Sequence, residues 1–223
     1  MNQKNIEDLT KDLLESDEKI TRMRAAITLS SMGEKAKEAI PALIEAIEKD
    51  ESSKIREEAA KALGKIGKGI PSVATALVNA MMDDKSENVR IYAAESMADI
   101  GEVAVPALLD VLRKESNIEV KEKTIDALGS IGAWAQKEAP GLVNSLVAEI
   151  IKVISKEPNE LIHRVSSEAF LKMGEAAIKP LIKAYRDYSD TSVLREIEIT
   201  LEKLAGKLGY RNRQALIRVF DSD

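Results

Sequence analysis

Cysteine is absent, and aromatic residues make up only 3% of the 223 residues: two Phe, one Trp and four Tyr. Without cysteine, a disulfide scaffold, a thiolate metal site and a thiol nucleophile are all excluded. An excess of basic residues is also missing. Lys and Arg number 33 against 38 Asp and Glu, for a net charge of −5 and a pI near 5.3. That balance argues against broad binding of nucleic acid or an anionic membrane. No segment nears the ~20 consecutive apolar residues of a membrane span. The opening "MNQKNIEDLTKDLLESDEK" carries no apolar signal core, so we expect a soluble cytoplasmic protein.

What the chain has in quantity is Ala, Leu, Ile, Lys and Glu, the composition of a helix former. These residues recur in register. The segments "TRMRAAITLSSMG", "IREEAAKALGKIG" and "VRIYAAESMADIG" end at Gly33, Gly67 and Gly101, 34 residues apart. Arg22, Arg56 and Arg90 stand eleven residues before these glycines. The pairs Ala25-Ala26, Ala59-Ala60 and Ala93-Ala94 stand eight and seven before them. The pattern decays through "VKEKTIDALGSIG" and "IHRVSSEAFLKMG", which end at Gly132 and Gly174, with Lys121 and His163 in the arginine column. A sixth segment, "VLREIEITLEKLA", fits with Ala205 in the glycine's place and its arginine slipped to Arg195.

Each segment is followed by a second one, such as "IPALIEAI" or "VPALLDVL". Apolar residues recur every three or four positions in both, which predicts two amphipathic helices per unit. Proline near the front of the second helix fits its first turn, where the missing N–H has no partner to lose. Gly33, Gly67, Gly101, Gly132 and Gly174 are read as helix stops, since glycine tolerates the backbone angles of a helix C-terminus. The Gly- and Lys-rich stretch "KALGKIGKGIP" is read the same way. A phosphate-binding loop follows a strand, whereas a helix precedes this one and Ile70-Pro71 follows it. Gly64 is a small-residue packing position, and Gly69 has no counterpart in the other units.

The line V-R-x-x-A-A-x-A-L-G-x-I-G…V-P-A-L-I resembles the HEAT repeat, in its short form found in phycobilin lyases and related scaffold proteins. The resemblance is strongest from Lys19 to Leu112 and is recognisable to Tyr185. It implies an all-α, right-handed superhelical solenoid of about six hairpins and about thirteen helices, because one hairpin cannot bury its apolar stripe alone. We expect one domain over 1–223. A cap helix occupies 1–16. Repeats occupy 17–50, 51–84, 85–116, 117–157 and 158–188, and 189–223 hold a degenerate repeat and the C-terminal cap.

The resemblance implies that Arg22, Arg56, Arg90 and Lys121 form a structural ladder, bonded to acidic and backbone groups of the adjacent unit. Asp17, Ser52-Ser53, and Asp84 with Ser86 precede the helices that carry or neighbour it. The competing use of such a column is anion binding. His163, the only histidine, lies in that column and reads as a repeat variant. It lacks the His-Glu pairs of iron-binding relatives. Trp134, in "GAWAQ", is expected in a turn, either packed over a hairpin end or in contact with a partner. The second helix of the fourth unit, expected over Gln136 to Lys156, is apolar on more than one face, including Val143, Val147, Ile151 and Ile154. That strip is either core or interface.

In HEAT arrays the second helices line the concave face. The solvent-facing positions expected there are Glu45, Lys49, Thr75, Asn79, Asp110, Lys114 and Asn144, a mixed row suited to a protein or peptide partner. Arg211, Arg213 and Arg218 make only a small basic patch, with little aromatic surface for stacked bases. The expected function is a non-catalytic protein-interaction scaffold with no catalytic residue, metal or cofactor. A subunit or enzyme of the bilin-lyase type is the alternative. A nucleic-acid binder of the kind represented by HEAT-like DNA glycosylases comes third.

Overall fold

Alanine-rich segments, each closed by a small residue and followed by a proline-led one, leave the backbone few choices but helix, turn and helix. The computed structural model describes residues 5–114, 117–157 and 159–221. Residues 116 and 158, where two predicted repeats end or begin, lie outside the described residues. So do the first four and the last two positions of the predicted caps. Among the described residues there are thirteen α-helices and no strand. No helix among them is long and apolar enough to cross a membrane. The chain divides into two compact units, 1–108 and 109–223.

Unit 1 holds α1 (Ile6–Glu15), α2 (Lys19–Met32), α3 (Ile40–Lys49), α4 (Ser53–Ile66), α5 (Pro71–Asp83) and α6 (Glu87–Ile100). The first helices α2, α4 and α6 pack side by side in one layer, and α1, α3 and α5 form the other. The paired alanines Ala25-Ala26, Ala59-Ala60 and Ala93-Ala94 are all buried, with Leu29, Leu63 and Met97 one turn on. Each fully buried leucine contributes about 2 kcal/mol relative to an exposed one. The alanines act differently: by staying small they let neighbouring helices approach. Gly64 shows how close, because a Cβ there would lie 2.7 Å from Ser96 Cβ.

Gly33, Gly67 and Gly101 all stand at the C-terminal ends of first helices, but for two different reasons. Gly33 and Gly101 have φ of 58° and 82°, where a side chain would be strained. Gly67 ends α4 without a positive φ; its angle is −91°. It is small because a Cβ would meet Val73 Cγ1 at 2.6 Å. The positive φ of this turn falls on Gly69, at 75°, and its N–H donates to the Ile100 carbonyl at 3.1 Å. The unmatched glycine therefore ties one hairpin turn to the end of the next first helix.

The unit boundary falls within α7 (Val105–Lys114). Unit 2 then holds α8 (Ile118–Glu138), α9 (Pro140–Ile154), α10 (Glu160–Met173), α11 (Ile178–Asp187), α12 (Thr191–Lys207) and α13 (Arg213–Phe220). Here the sequence misleads at Gly132. It is not a helix stop but lies inside α8, which runs unbroken for 21 residues. Its place in the helix follows from its neighbours: Ala133, Ala135, Gln136 and Lys137 are good helix formers, and no proline intervenes before Pro140. Gly132 is small because a Cβ would sit 2.6 Å from Met173 Cγ. The break comes instead at Ala139, and α9 starts at Pro140 rather than Gln136. Ala205 is likewise interior to α12, and the chain turns at Gly209, with φ 80°. Gly174 does end α10, with φ 62°.

The apolar strip of α9 is core. Val143, Leu146, Val147, Ile150, Ile151 and Ile154 are all buried.

Candidate functional site

The turns between repeats hold most of the buried charge. Arg22 reaches from α2 to the loop after α3: Nε donates to Asp50 Oδ2 at 2.8 Å, and Nη1 to the Ser16 carbonyl at 2.9 Å. Arg56 repeats the arrangement one unit on, with both Nε and Nη2 on Asp84, at 2.7 and 2.8 Å, and Nη1 on the Asp50 carbonyl at 2.8 Å. Arg90 donates to the Asp84 carbonyl at 2.9 Å. The hydrogen bonds to Asp50 and Asp84 hold Arg22 and Arg56 charged, above the ordinary guanidinium range. Burial works to push the Asp84 carboxyl up, but the Arg56 guanidinium and the Ser86 N–H together bring it below the usual range.

Asp50 and Asp84 also organise the helix starts that follow. Each accepts the backbone N–H two residues on, from Ser52 and Ser86, at 2.8 Å. Ser52 and Ser86 occupy the N-cap positions but make no side-chain cap bond. Ser52 Oγ is the only buried side-chain polar atom among the described residues without a hydrogen-bond partner. Ser52 thus precedes its helix without capping it, and the neighbouring Asp50 accepts the backbone N–H there. Asp50 was missed, although it stands 28 residues after Arg22, just as Asp84 stands 28 after Arg56.

In unit 2 the column changes chemistry. Lys121 Nζ pairs with Glu157 at 2.5 Å, and His163 Nε2–H donates to the Glu157 carbonyl at 3.0 Å. His163 also lines a cleft with Arg164, Arg195 and Lys203 on α10 and α12. Among the described residues, no group of His, Cys, Asp and Glu could hold a metal ion. Trp134 is not in a turn. It lies in the last third of α8 and is 43% exposed.

All seven predicted partner-facing positions are solvent-exposed. In unit 1, Lys49 pairs with Glu45 at 3.1 Å, Thr75 Oγ1 donates to the Pro71 carbonyl, and Asn79 has no side-chain partner among the described residues. In unit 2, Lys114 pairs with Asp110 at 3.0 Å, and Asn144 has no such partner. Two grooves open between second helices. One, of about 490 Å³ between α3 and α5, is lined by Asn79 with Glu48, Asp50, Glu51, Asp83 and Asp84, which outnumber Arg56 and Lys85. The other, of about 440 Å³ between α9 and α11, is lined by Asn144 with Lys152, Lys179, Lys183 and Tyr188. The opposite signs of these grooves escaped the sequence, because each combines residues from two helices. The basic cluster at the end of the chain is partly neutralised, because Arg213 pairs with Glu198 at 2.7 Å.

No curated protein matches the chain. Among solved structures, the complex of CpcE and CpcF of phycocyanin lyase from Nostoc sp. PCC7120 is similar, with a TM-score of 0.52 and 24% identity. The match covers 94% of this chain and 79% of that one. The archaeal HEAT-like repeats protein from Thermococcus onnurineus NA1 matches at a TM-score of 0.51 and 12% identity, over 93% and 99% of the two chains. Kap121p bound to Nup53p matches at 0.54 and 17% identity, over 92% of this chain but 23% of Kap121p. These likenesses are of fold. The family model for HEAT repeats matches residues 6–98 and 74–149, which hold the arginine column and the alanine pairs. The chain belongs to the HEAT-repeat family.

Proposed function

We propose that the chain is a non-catalytic scaffold that binds protein or peptide partners through the faces of its second helices. The observation that carries this reading is the pair of open grooves, α3/α5 and α9/α11. Their walls include side chains, Asn79, Asn144, Lys179 and Lys183 among them, that make no bond within the described fold. The first-helix loops, by contrast, use their charges to hold the repeats together. Two proteins of similar fold, the CpcE–CpcF pair and Kap121p with Nup53p, are complexes with protein partners, which supports the same reading. No bound cofactor is required. The test is affinity capture from the native host, read by mass spectrometry, with the wild type and a Glu45→Lys, Asp110→Lys double variant. The variant is expected to lose partners. An unchanged set would remove the second-helix face from consideration.

The likeness to CpcE and CpcF favours a second reading, a subunit of an enzyme of the bilin-lyase type. Such a site needs a titratable group whose perturbation serves chemistry rather than the fold. The carboxyls held low here each have a structural cause: Lys152 and Arg113 at Glu149, the Ser192 hydroxyl and the backbone N–H groups of Val193 and Ser192 at Asp190, and the Arg56 ladder at Asp84. Lyase activity from the purified chain, with or without a partner subunit, would reverse this ordering.

A further inference from the structure

We propose that the groove between α9 and α11 receives a short acidic segment of a partner protein. Lys152, Lys179 and Lys183 bind its carboxylates, and Ala148, Pro180 and Tyr188 contact its apolar side chains. This rests on the scaffold reading and names the chemistry of the partner.

The groove is built by helical spacing. Asn144, Ala148 and Lys152 follow one another at i, i+4 and i+8 on α9, and Lys179 and Lys183 at i and i+4 on α11. Eight residues of helix make a track of about 12 Å. An extended segment of about four residues covers that length, with alternate side chains facing opposite ways. Such a segment can point carboxylates at the lysines while its apolar residues meet the floor.

Two of the groove's three positive charges are not needed by the fold. Lys179 and Lys183 make no ion pair or side-chain hydrogen bond among the described residues. Lys179 also stands in the first turn of α11, where a cation opposes the helix dipole, so it is not there for the sake of the helix. Lys152 is held by Glu149 at 2.7 Å, and Asp187 is the groove's one acidic wall residue. A second cleft shares Asn144 and Lys179 with the first and continues the basic track to Lys137, with Glu175 opposite.

The positive charge is local. Unit 2 carries 18 basic and 18 acidic residues, and unit 1 carries 15 and 20. A long polyanion would meet no extended basic surface. The groove also offers lysines rather than the arginine forks suited to phosphate, with a single aromatic ring for stacking. A short acidic peptide fits both the small charged length and the apolar floor. The α3/α5 groove, with Glu48, Glu51, Asp83 and Asp84, has the opposite sign and would repel it.

The test is fluorescence anisotropy with the full-length chain and three labelled ten-residue peptides. They alternate leucine with glutamate, with lysine or with serine. The glutamate peptide should bind saturably. Affinity should fall at least about tenfold in a Lys179→Glu, Lys183→Glu variant and stay unchanged in Lys85→Glu at the other groove. The lysine peptide should gain affinity for the double variant. Both lysines are exposed, and unchanged circular dichroism would establish that the variant is folded. Failure of the glutamate peptide to bind, or binding that ignores the double variant, overturns the proposal. Tighter binding of the serine or lysine peptide to the wild-type groove overturns it and leaves the scaffold reading standing. Lysine-dependent binding of a single-stranded oligonucleotide or of phosphatidylserine vesicles, tighter than that of the glutamate peptide, assigns the groove to another class and overturns it. Salt-sensitive self-association lost in the variant, seen by sedimentation velocity, makes a second copy the occupant and has the same effect. If no peptide binds and the capture set is also unchanged by the variants, both readings fall.

Discussion

Unit 1 and unit 2 have the same kind of two-layered helical packing, but they hold their turns by different chemistry. Unit 1 repeats a buried Arg–Asp pair, Arg22 with Asp50 and Arg56 with Asp84, and each aspartate also fixes the next helix start. Unit 2 uses direct caps: Asn117, Asn159 and Asp190 accept backbone N–H groups of the helices they precede. Inside the first-helix layer, unit 1 places alanine pairs where unit 2 places Thr124-Ile125 and Ser166-Ser167. Those hydroxyls are buried and satisfied: Thr124 and Ser166 donate to carbonyls one turn back, and Ser167 donates to Thr200. A HEAT hairpin therefore does not depend on one device. It depends on closing each turn's polar groups, by an interlocked ion pair or by a local cap.

Four measurements can break or sharpen this contrast. The largest effect is expected in unit 2's core. Val147→Asp or Ile151→Asp buries a carboxylate and should cost at least about 4 kcal/mol. Circular dichroism should show lost helix, and wild-type helicity with a wild-type melt would refute the burial of the α9 strip. Next come the turn devices. Arg56→Met leaves Asp84 buried without its guanidinium and should cost about 2–4 kcal/mol. Lys121→Met, which removes a single bond to the more exposed carboxylate of Glu157, should cost less, about 1 kcal/mol. Equal shifts in urea midpoint would erase the distinction between the units.

The glycines give a third comparison. Gly129→Ala drives a Cβ to within 2.7 Å of the Ala169 backbone and should cost about 1–3 kcal/mol. Gly33→Ala meets open space and loses only what its positive φ exacts, about 1 kcal/mol. The smallest effect is with pH. Asp84 is held below its ordinary value of 3.8 in the folded chain. Its contribution is complete above the unfolded value and is lost as pH falls through the folded one. Stability of the wild type should therefore drop more steeply in acid than that of Asp84→Asn. Parallel pH curves would remove Asp84 as the cause.

Much of unit 1 was legible because its period is constant. Gly33 and Gly101, the alanine pairs and the arginines all fall at fixed offsets, and Asp50 could have been found by the same 28-residue count. Gly132 was misread because glycine carries two meanings. At Gly33 the backbone needs it; at Gly132, as at Gly67, a neighbouring side chain does, and spacing alone does not separate the two. The grooves were least legible. Asn79 and Asn144 were placed correctly on exposed faces, but the sign of each groove comes from the pairing of two helices. That pairing is set by tertiary packing and leaves no local pattern.

Trp134 has a practical consequence. It is the only indole in the chain, and it sits half-exposed on α8, within unit 2. Selectively excited emission thus reports one half of the molecule, while far-ultraviolet dichroism sums over both. Denaturation followed by the two signals will superimpose if the halves melt together and diverge if they do not. The natural chain already carries the optical label needed to measure cooperativity between its halves.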